Sequence, residues 1–265
     1  MRLPIAQIDA FASKPFEGNP AAVMPLAEWL DDTLLQAIAA ENNLSETAYI
    51  VASKASDAEF DLRWFTPTTE VVMCGHATLA SGHFVLSSTP ALDAVRFSTR
   101  KAGILDVRRA GPGYELGLPA WVPHAKPLAE IVAALGLASA RETLWHDHRY
   151  ALIVLENAAQ VRALEPDFRA LAAMGDVLVI ATAPGDNADI ISRAFAPGSG
   201  INEDPVTGSA HAVLIPYWAK RLGRATFTAF QASTRGGHLT CRLDDNRVIL
   251  GGRCVTLMEG TFLLD

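Results

Sequence analysis

Two segments of this chain, half its length apart, repeat one pattern. In each segment an apolar run ends in Phe-x-Pro, and a Gly-x-Ala turn then opens an Ala-rich apolar stretch. Phe65 and Phe195 are 130 residues apart, and Gly75 and Gly208 are 133 residues apart. The repeat predicts two similar halves, each placing a turn and the start of a helix at an equivalent position. We expect the two turns to face one shared cleft.

Composition excludes several classes of function. Half of the 265 residues are apolar and 19% are charged, which suits a substantial globular core. The net charge of −7 and the lack of a basic cluster argue against nucleic-acid binding. No apolar run reaches the roughly 18 residues that span a bilayer, and the first residues resemble a strand rather than a signal peptide. We therefore expect a cytoplasmic protein with neither nucleic acid nor membrane as a partner.

The cysteines and the absence of common motifs narrow the chemistry. Cys74, Cys241 and Cys254 show no C-x-x-C spacing, so they predict neither a disulfide framework nor a structural zinc site. The sequence contains no G-x-G-x-x-G, Walker or H-E-x-x-H motif. We expect no cofactor and no metal.

Short strands dominate the predicted secondary structure. Helical spacing and capping residues predict helices over residues 31–40, 75–86, 127–135, 167–174 and 209–222. Pro216 lies inside the last helix and should kink it or split off a turn. The expected fold class is α/β (α+β), with two similar pseudo-symmetric lobes, each a curved, mostly antiparallel sheet wrapped around a central helix. The Pro-rich stretch from Pro119 to Pro127 predicts lobes of residues 1–120 and 121–265, and spacing leaves open whether the last strand crosses back to the first lobe.

The first repeated turn carries Cys74, Gly75 and His76 at a predicted helix start. The unpaired N–H groups at such a terminus can hold a carboxylate, and an imidazole there can donate to it or move a proton. The helix terminus would also stabilise a Cys74 thiolate. The alternative is an ordinary helix cap with a buried, inert cysteine.

Glu46 lies where a loop meets a strongly apolar strand. A carboxyl group sheltered there is suited to general acid/base chemistry. The alternative is a solvated glutamate at the start of a strand. Asn19, in a Gly-Asn-Pro turn, could likewise reach a ligand or simply reverse the chain.

The second repeated turn carries Asp204, Thr207, Gly208 and Ser209. Pro205 favours an extended Asp204 at the mouth of the turn, and the hydroxyls and amides that follow could grip an acidic group. Asp204 as a plain turn residue is the alternative. We interpret Arg193 and His211 as packing or surface residues.

These motifs together resemble the PhzF family, the phenazine-biosynthesis isomerases built on the diaminopimelate epimerase fold. The matching segments run in order from residue 9 to residue 210: Asp9-Ala10-Phe11, Phe16-x-Gly18-Asn19-Pro20-Ala21, Asn43-Leu44-Ser45-Glu46-Thr47-Ala48, Phe65-Thr66-Pro67 through Cys74-Gly75-His76-Ala77-Thr78, and Glu203-Asp204-Pro205-Val206-Thr207-Gly208-Ser209-Ala210.

The resemblance implies a cofactor-independent isomerase that moves a proton between carbons of a small cyclic amino acid or related carboxylate. The family's named member isomerises 2,3-dihydro-3-hydroxyanthranilate. Glu46 falls on the catalytic acid/base, with His76 and Asp204 as the other catalytic residues. By the same resemblance, the predicted substrate-binding residues are Gly75, Gly208, Ser209, Asn19 and Cys74. The family also implies a homodimer with its active site in the cleft between the lobes.

Two alternatives stay open. Racemases of this fold use one thiol from each lobe, and Cys74 stands at the first such position while Thr207 occupies the second. An epimerase or racemase that uses Cys74 is therefore one alternative. The other is a metabolite-binding member of the fold without catalysis.

Overall fold

The computed structural model describes residues 1–264, which form two compact units. The first unit combines Met1–Gly117 with the chain from Gly251 onward, and the second is Leu118–Leu250. Both units are dominated by strands and contain few helices, which confirms the expected fold class. Among the described residues, no helix has both the length and the apolar character to cross a membrane.

The chain forms the following elements in order: β1 (Arg2–Ala10), β2 (Asn19–Leu26), α1 (Asp32–Asn42), β3 (Glu46–Ala52), β4 (Phe60–Phe65), β5 (Glu70–Val71), α2 (Gly75–Ser88), β6 (Ala94–Thr99), β7 (Ile104–Ala110), β8 (Gly113–Pro119), β9 (His124–Ala125), α3 (Ala129–Ala134), β10 (Glu142–His146), β11 (Tyr150–Val154), α4 (Ala158–Arg162), α5 (Phe168–Ala173), β12 (Leu178–Pro184), β13 (Ile190–Ala196), a short 3₁₀ turn (Pro197–Ser199), β14 (Ile201–Asp204), α6 (Gly208–Leu222), β15 (Thr226–Gln231), β16 (Gly237–Asp244), β17 (Arg247–Gly252) and β18 (Cys254–Leu263).

Helix α2 is the centre of the first unit. It contacts β1, β2, β3, β6, β7 and β18, and every residue from Gly75 to Gly82 is buried. Gly82 makes the close approach to β7 possible, because a Cβ at this position would lie 2.4 Å from Cγ1 of Val107. The first eight residues of the helix are buried whichever side they face, and the strands around the helix provide this enclosure.

The strands of the first unit pair mostly antiparallel. β1 pairs antiparallel with both β2 and β18, whereas β2–β3 and β4–β6 are parallel. Outside this sheet, Leu35 and Ile38 of α1 pack with Tyr49 and Phe65. The Tyr49 hydroxyl donates to the Leu35 carbonyl at 2.6 Å and ties α1 to β3.

Helix α6 has the equivalent position in the second unit. Its residues from Gly208 to Trp218 are all buried, and it contacts β11 and β16. Helices α3, α4 and α5 contribute Ile131, Val161 and Leu171 to a separate apolar cluster with strand residues such as Phe195. The sheet of this unit therefore has an apolar core on each face.

Pro216 does not split α6, which continues as one helix to Leu222. Proline lacks an N–H group, so the carbonyl of Ala212, four residues earlier, loses its helical partner. The backbone N–H of Trp121 donates to that carbonyl at 2.9 Å instead. A segment outside the helix thus supplies the hydrogen bond that the proline removes.

Candidate active site

Three predicted site residues of the first unit surround the imidazole of a fourth, His76. Its Nε2 lies 3.0 Å from Oε2 of Glu46, and its Nδ1 lies 3.1 Å from Nδ2 of Asn19 and 3.5 Å from Sγ of Cys74. All four residues are buried, with at most 8% of any of them exposed. The cluster forms because Asn19 and Glu46 begin the parallel neighbours β2 and β3, while Cys74 and His76 flank the first residue of α2, Gly75.

The direction of the Asn19 amide and the protonation of His76 depend on each other. With the amide nitrogen toward Nδ1, Nδ1 accepts and the ring is neutral, with its proton on Nε2 facing Glu46. Protonation of both ring nitrogens requires the amide to turn, so that its oxygen accepts from Nδ1. Asn19 thus contacts His76, whereas the sequence left open a ligand contact or a chain reversal.

The contact between Glu46 and His76 is close but poorly aligned. Oε2 and Nε2 are near enough for an ion pair, yet neither atom makes an aligned hydrogen bond within the described part of the chain. The buried carboxylate oxygen and the buried ring N–H lie side by side but do not satisfy each other's hydrogen-bonding capacity. Such a pair lowers stability in a structural core. It is what a site for proton transfer requires.

Neighbouring groups perturb both His76 and Cys74. Burial lowers the pKa of His76, but the charges of a Cys74 thiolate and of the Glu46 carboxylate raise that pKa well above its usual value. While Cys74 is a neutral thiol, the Glu46 carboxylate is the charge that acts on the ring. Burial, reinforced by Glu46, raises the pKa of the Cys74 thiol to about 11. The thiol is therefore protonated at neutral pH and is a weak base there.

Glu46, Cys74 and His76 also offer three donor atoms that all lie within 4.8 Å of one another. Carboxylate, thiolate and imidazole together are a donor set for zinc and related metals. The ring nitrogens, however, face different partners, with Glu46 at Nε2 and Cys74 at Nδ1. A metal on Nε2 would therefore have Glu46 beside it but not Cys74, and a metal on Nδ1 would have Cys74 but not Glu46. The arrangement fits an acid/base cluster better than a metal site.

The second repeated turn brings Asp204, Thr207, Gly208 and Ser209 together in the other unit. The Thr207 hydroxyl donates to Oδ2 of Asp204 at 2.5 Å. Gln231 of β15 accepts from the Thr207 N–H at 2.8 Å, and its Nε2 donates to the Asp204 carbonyl and to Oγ1 of Thr207. Asp204, Thr207 and Ser209 are each 7–8% exposed, and Gln231 is fully buried.

The starts of α2 and α6 share one backbone arrangement. Cys74 and Thr207 are the N-cap residues, both extended, and neither side chain caps the helix. In each helix a side chain four residues on donates back to the N-cap carbonyl: Thr78 to Cys74 at 2.5 Å, and His211 to Thr207 at 2.8 Å. The first N–H groups of both helices are therefore left without a side-chain cap, as an anion site requires.

An ion pair ahead of each turn extends the repeat and was missed by sequence reasoning. Arg63 binds Glu70 through Nε–Oε1 at 2.7 Å and Nη2–Oε2 at 2.9 Å, and Arg193 binds Glu203 through the same atoms at the same distances. Each arginine also lies over the phenylalanine two residues later. The signal was present, because the arginines are 130 residues apart and the glutamates 133. Gln231 left no comparable signal.

Comparison with known proteins gives consistent matches along the chain. A sequence model of the PhzC-PhzF family, described as phenazine biosynthesis-like protein, matches residues 8–260. An uncharacterised isomerase of Pseudomonas aeruginosa is 45% identical over the full length of both chains. The crystal structure of a PhzF-family phenazine biosynthesis protein from Enterococcus faecalis covers both chains completely, at 45% identity and a TM-score of 0.90. A solved structure described as a predicted epimerase from P. aeruginosa, 21% identical, covers 99% of this chain and all of its own, and shares the fold with a TM-score of 0.78.

Proposed function

Because the chain belongs to the PhzC-PhzF family of phenazine biosynthesis-like proteins, we propose that it is a cofactor-independent isomerase that moves a proton between two carbons of a small carboxylate. The relatives named as isomerases support the reaction class. A cyclic amino acid of the 2,3-dihydro-3-hydroxyanthranilate type is the substrate class that the family resemblance favours.

The contact between Glu46 and His76 is the observation that carries this proposal. Glu46 presents a buried carboxylate oxygen that no aligned hydrogen bond occupies, 3.0 Å from a ring nitrogen that holds a proton. In the proposed reaction, Glu46 removes a proton from one substrate carbon and returns it to another, while the bonding electrons shift along the substrate. His76 polarises or protonates the substrate, and Asn19 holds the ring.

The remaining roles follow from the resemblance. Asp204 is proposed to polarise or protonate the substrate, and the groups at Gly75, Gly208 and Ser209 to hold its carboxylate. A positioned acid/base typically contributes about 10²–10⁴-fold in rate, so orientation and electrostatics must supply the rest. The homodimer and the cytoplasmic location that the family implies stay predictions.

Exchange of substrate hydrogen with D₂O tests the proposal. Purified protein is incubated in D₂O with 2,3-dihydro-3-hydroxyanthranilate and a panel of cyclic amino acids, and deuterium at carbon is followed by NMR. Wild type should incorporate deuterium into at least one compound, and Glu46→Gln should slow this at least about 10²-fold. Cys74→Ala distinguishes this mechanism from one that uses the thiol and should retain exchange, since the thiol is protonated at neutral pH and is a weak base.

Three results would count against the proposal. Exchange that survives Glu46→Gln would remove Glu46 as the base. Exchange lost in Cys74→Ala alone would favour an epimerase or racemase that uses the thiol. Binding of a panel compound without exchange in wild type would identify a metabolite-binding protein.

A further inference from the structure

Gln231 makes three hydrogen bonds at the second turn that together fix the direction of its side-chain amide. Oε1 accepts from the Thr207 N–H at 2.8 Å, while Nε2 donates to the Asp204 carbonyl at 2.8 Å and to Oγ1 of Thr207 at 3.0 Å. Turning the amide over would set a donor against the Thr207 N–H and an acceptor against the Asp204 carbonyl. The observed orientation is therefore the one that the surroundings permit.

The direction of the Thr207 hydroxyl follows from the direction of the amide. A primary amide nitrogen can only donate, so Oγ1 of Thr207 accepts on that side. While Asp204 is a carboxylate, the hydroxyl proton is the one proton available to the contact between Oγ1 and Oδ2 of Asp204, which lie 2.5 Å apart, so the hydroxyl donates to Oδ2. A chain of two donors, from Gln231 through Thr207, thus ends on one oxygen of Asp204.

We propose that Gln231 and Thr207 are positioning residues that favour the carboxylate form of Asp204 and direct any proton that it carries to Oδ1. An oxygen that already accepts a hydroxyl proton is a poorer site for a proton of its own than the other oxygen of the same carboxyl group. Hydrogen bonds donated to a carboxylate stabilise its charged form. The catalytic meaning of this arrangement rests on the proposed function, in which Asp204 exchanges a proton with the substrate.

Two titratable groups next to this turn have partners of their own. Glu203, the preceding residue, is held by Arg193 of β13. His211 of α6 donates through Nδ1 to the Thr207 carbonyl, and burial lowers its pKa to about 4, so it is neutral near pH 7. A change of charge on His211 therefore does not hide a change at Asp204 near neutral pH.

The first unit lacks this arrangement at the equivalent place. Ser192 pairs with Gln231 in the parallel strands β13 and β15, and Leu62 pairs with Thr99 in β4 and β6. The Thr99 hydroxyl donates to the Gly103 carbonyl and accepts from the Ala102 N–H, both in its own loop, and within residues 1–264 it makes no such bond to the Cys74 turn. The fold therefore forms this turn without the donor chain. The hydrogen bonds from Gln231 and Thr207 are thus not needed to hold the backbone of the turn, which favours a role for them at Asp204.

Carbon-13 NMR of the aspartate side chains tests the proposal without depending on activity. Protein labelled at aspartate Cγ is titrated, and Asp204→Asn assigns the Asp204 signal. Thr207→Val removes the hydroxyl at nearly constant shape and should raise the titration midpoint of that signal by about one pH unit, a tenfold change in acid dissociation. Thr207→Ser keeps the hydroxyl and should leave the midpoint within about 0.3 units of wild type.

Gln231→Met tests the amide separately. The hydroxyl remains but is no longer directed, so the midpoint should rise by less than in Thr207→Val. An unmoved midpoint in Thr207→Val, or an equal rise in Thr207→Ser, would overturn the donor chain. Failure of wild type to exchange deuterium would instead remove the proposed function and leave the NMR result standing. With an active substrate, the limb of the kcat/KM pH profile that reports Asp204 should move with the midpoint.

Discussion

Glu70→Ala should destabilise the protein more than Arg63→Met, although both substitutions break the same ion pair. The side chain of Arg63 is 3% exposed, whereas that of Glu70 is 30% exposed. Removing the carboxylate leaves a buried guanidinium with fewer partners. Removing the arginine leaves a carboxylate that water can reach. The two costs therefore differ because burial is unequal across the pair.

The structure sets the size of the difference. Removing one partner of a buried ion pair typically costs 3–5 kcal/mol. Arg63 keeps a 2.8 Å bond from Nη1 to Asp32, so we expect about 2–3 kcal/mol for Glu70→Ala. In Arg63→Met an apolar side chain replaces the guanidinium over Trp29 and Phe65, and the cost should be about 1 kcal/mol, the cation–π contribution that is lost.

Urea unfolding at pH 7, with equal m-values as a check on two-state behaviour, measures both costs. Asp32→Asn is the matched control and should cost less than Glu70→Ala, because the Asp32 side chain is 63% exposed and solvent screens its charge. The double variant should be no less stable than Glu70→Ala alone, since no buried cation is left behind. Equal costs for the two single variants, or a larger cost for Arg63→Met, would refute the reasoning.

Two further predictions concern the central helices. Gly82→Ala gains about 1 kcal/mol of helix propensity, but its Cβ would lie 2.4–2.8 Å from three atoms of Val107. We therefore expect a net loss of about 1–3 kcal/mol in stability, with partial recovery in the double variant Gly82→Ala/Val107→Ala. A Gly82→Ala protein that is more stable than wild type in thermal unfolding would contradict this. The unfolded chain protonates His211 near pH 6.5, while burial holds the folded pKa at about 4, so stability should fall by about 3 kcal/mol as the pH drops through that window. His211→Gln should flatten this part of the stability–pH curve, and an unchanged slope would assign it to another group.

The repeat in the sequence predicted the starts of both central helices. In each half a glycine is followed by an apolar run that is long enough for a helix to be recognised. Capping residues likewise marked α1, where the sequence left Asp31 or Asp32 open and Asp31 accepts the backbone N–H of Thr33. The helix predicted to begin at Asp167 is α5, and Asp167 is its N-cap. Helix α4, at five residues, is too short for apolar periodicity to show and was missed.

Contacts that depend on strand register lay beyond sequence reasoning. Gln231 reaches Thr207 across 24 residues because β15 pairs in parallel with β13, and no local pattern encodes that register. Asn19 meets His76 only because β2 borders the start of α2. The roles of Glu46, His76 and Asp204 came from the family resemblance and stay predictions.

The matching Arg–Glu pairs separate the part of the repeat that holds the backbone from the part that carries chemistry. The same atoms meet at the same distances in both units, at equal spacing from the same phenylalanine and glycine. The ion pair thus anchors the approach to each turn in the same way, whichever side chains the turn carries. Cys-Gly-His in one unit and the Thr207–Gln231 arrangement in the other can therefore differ without a change in the backbone that supports them.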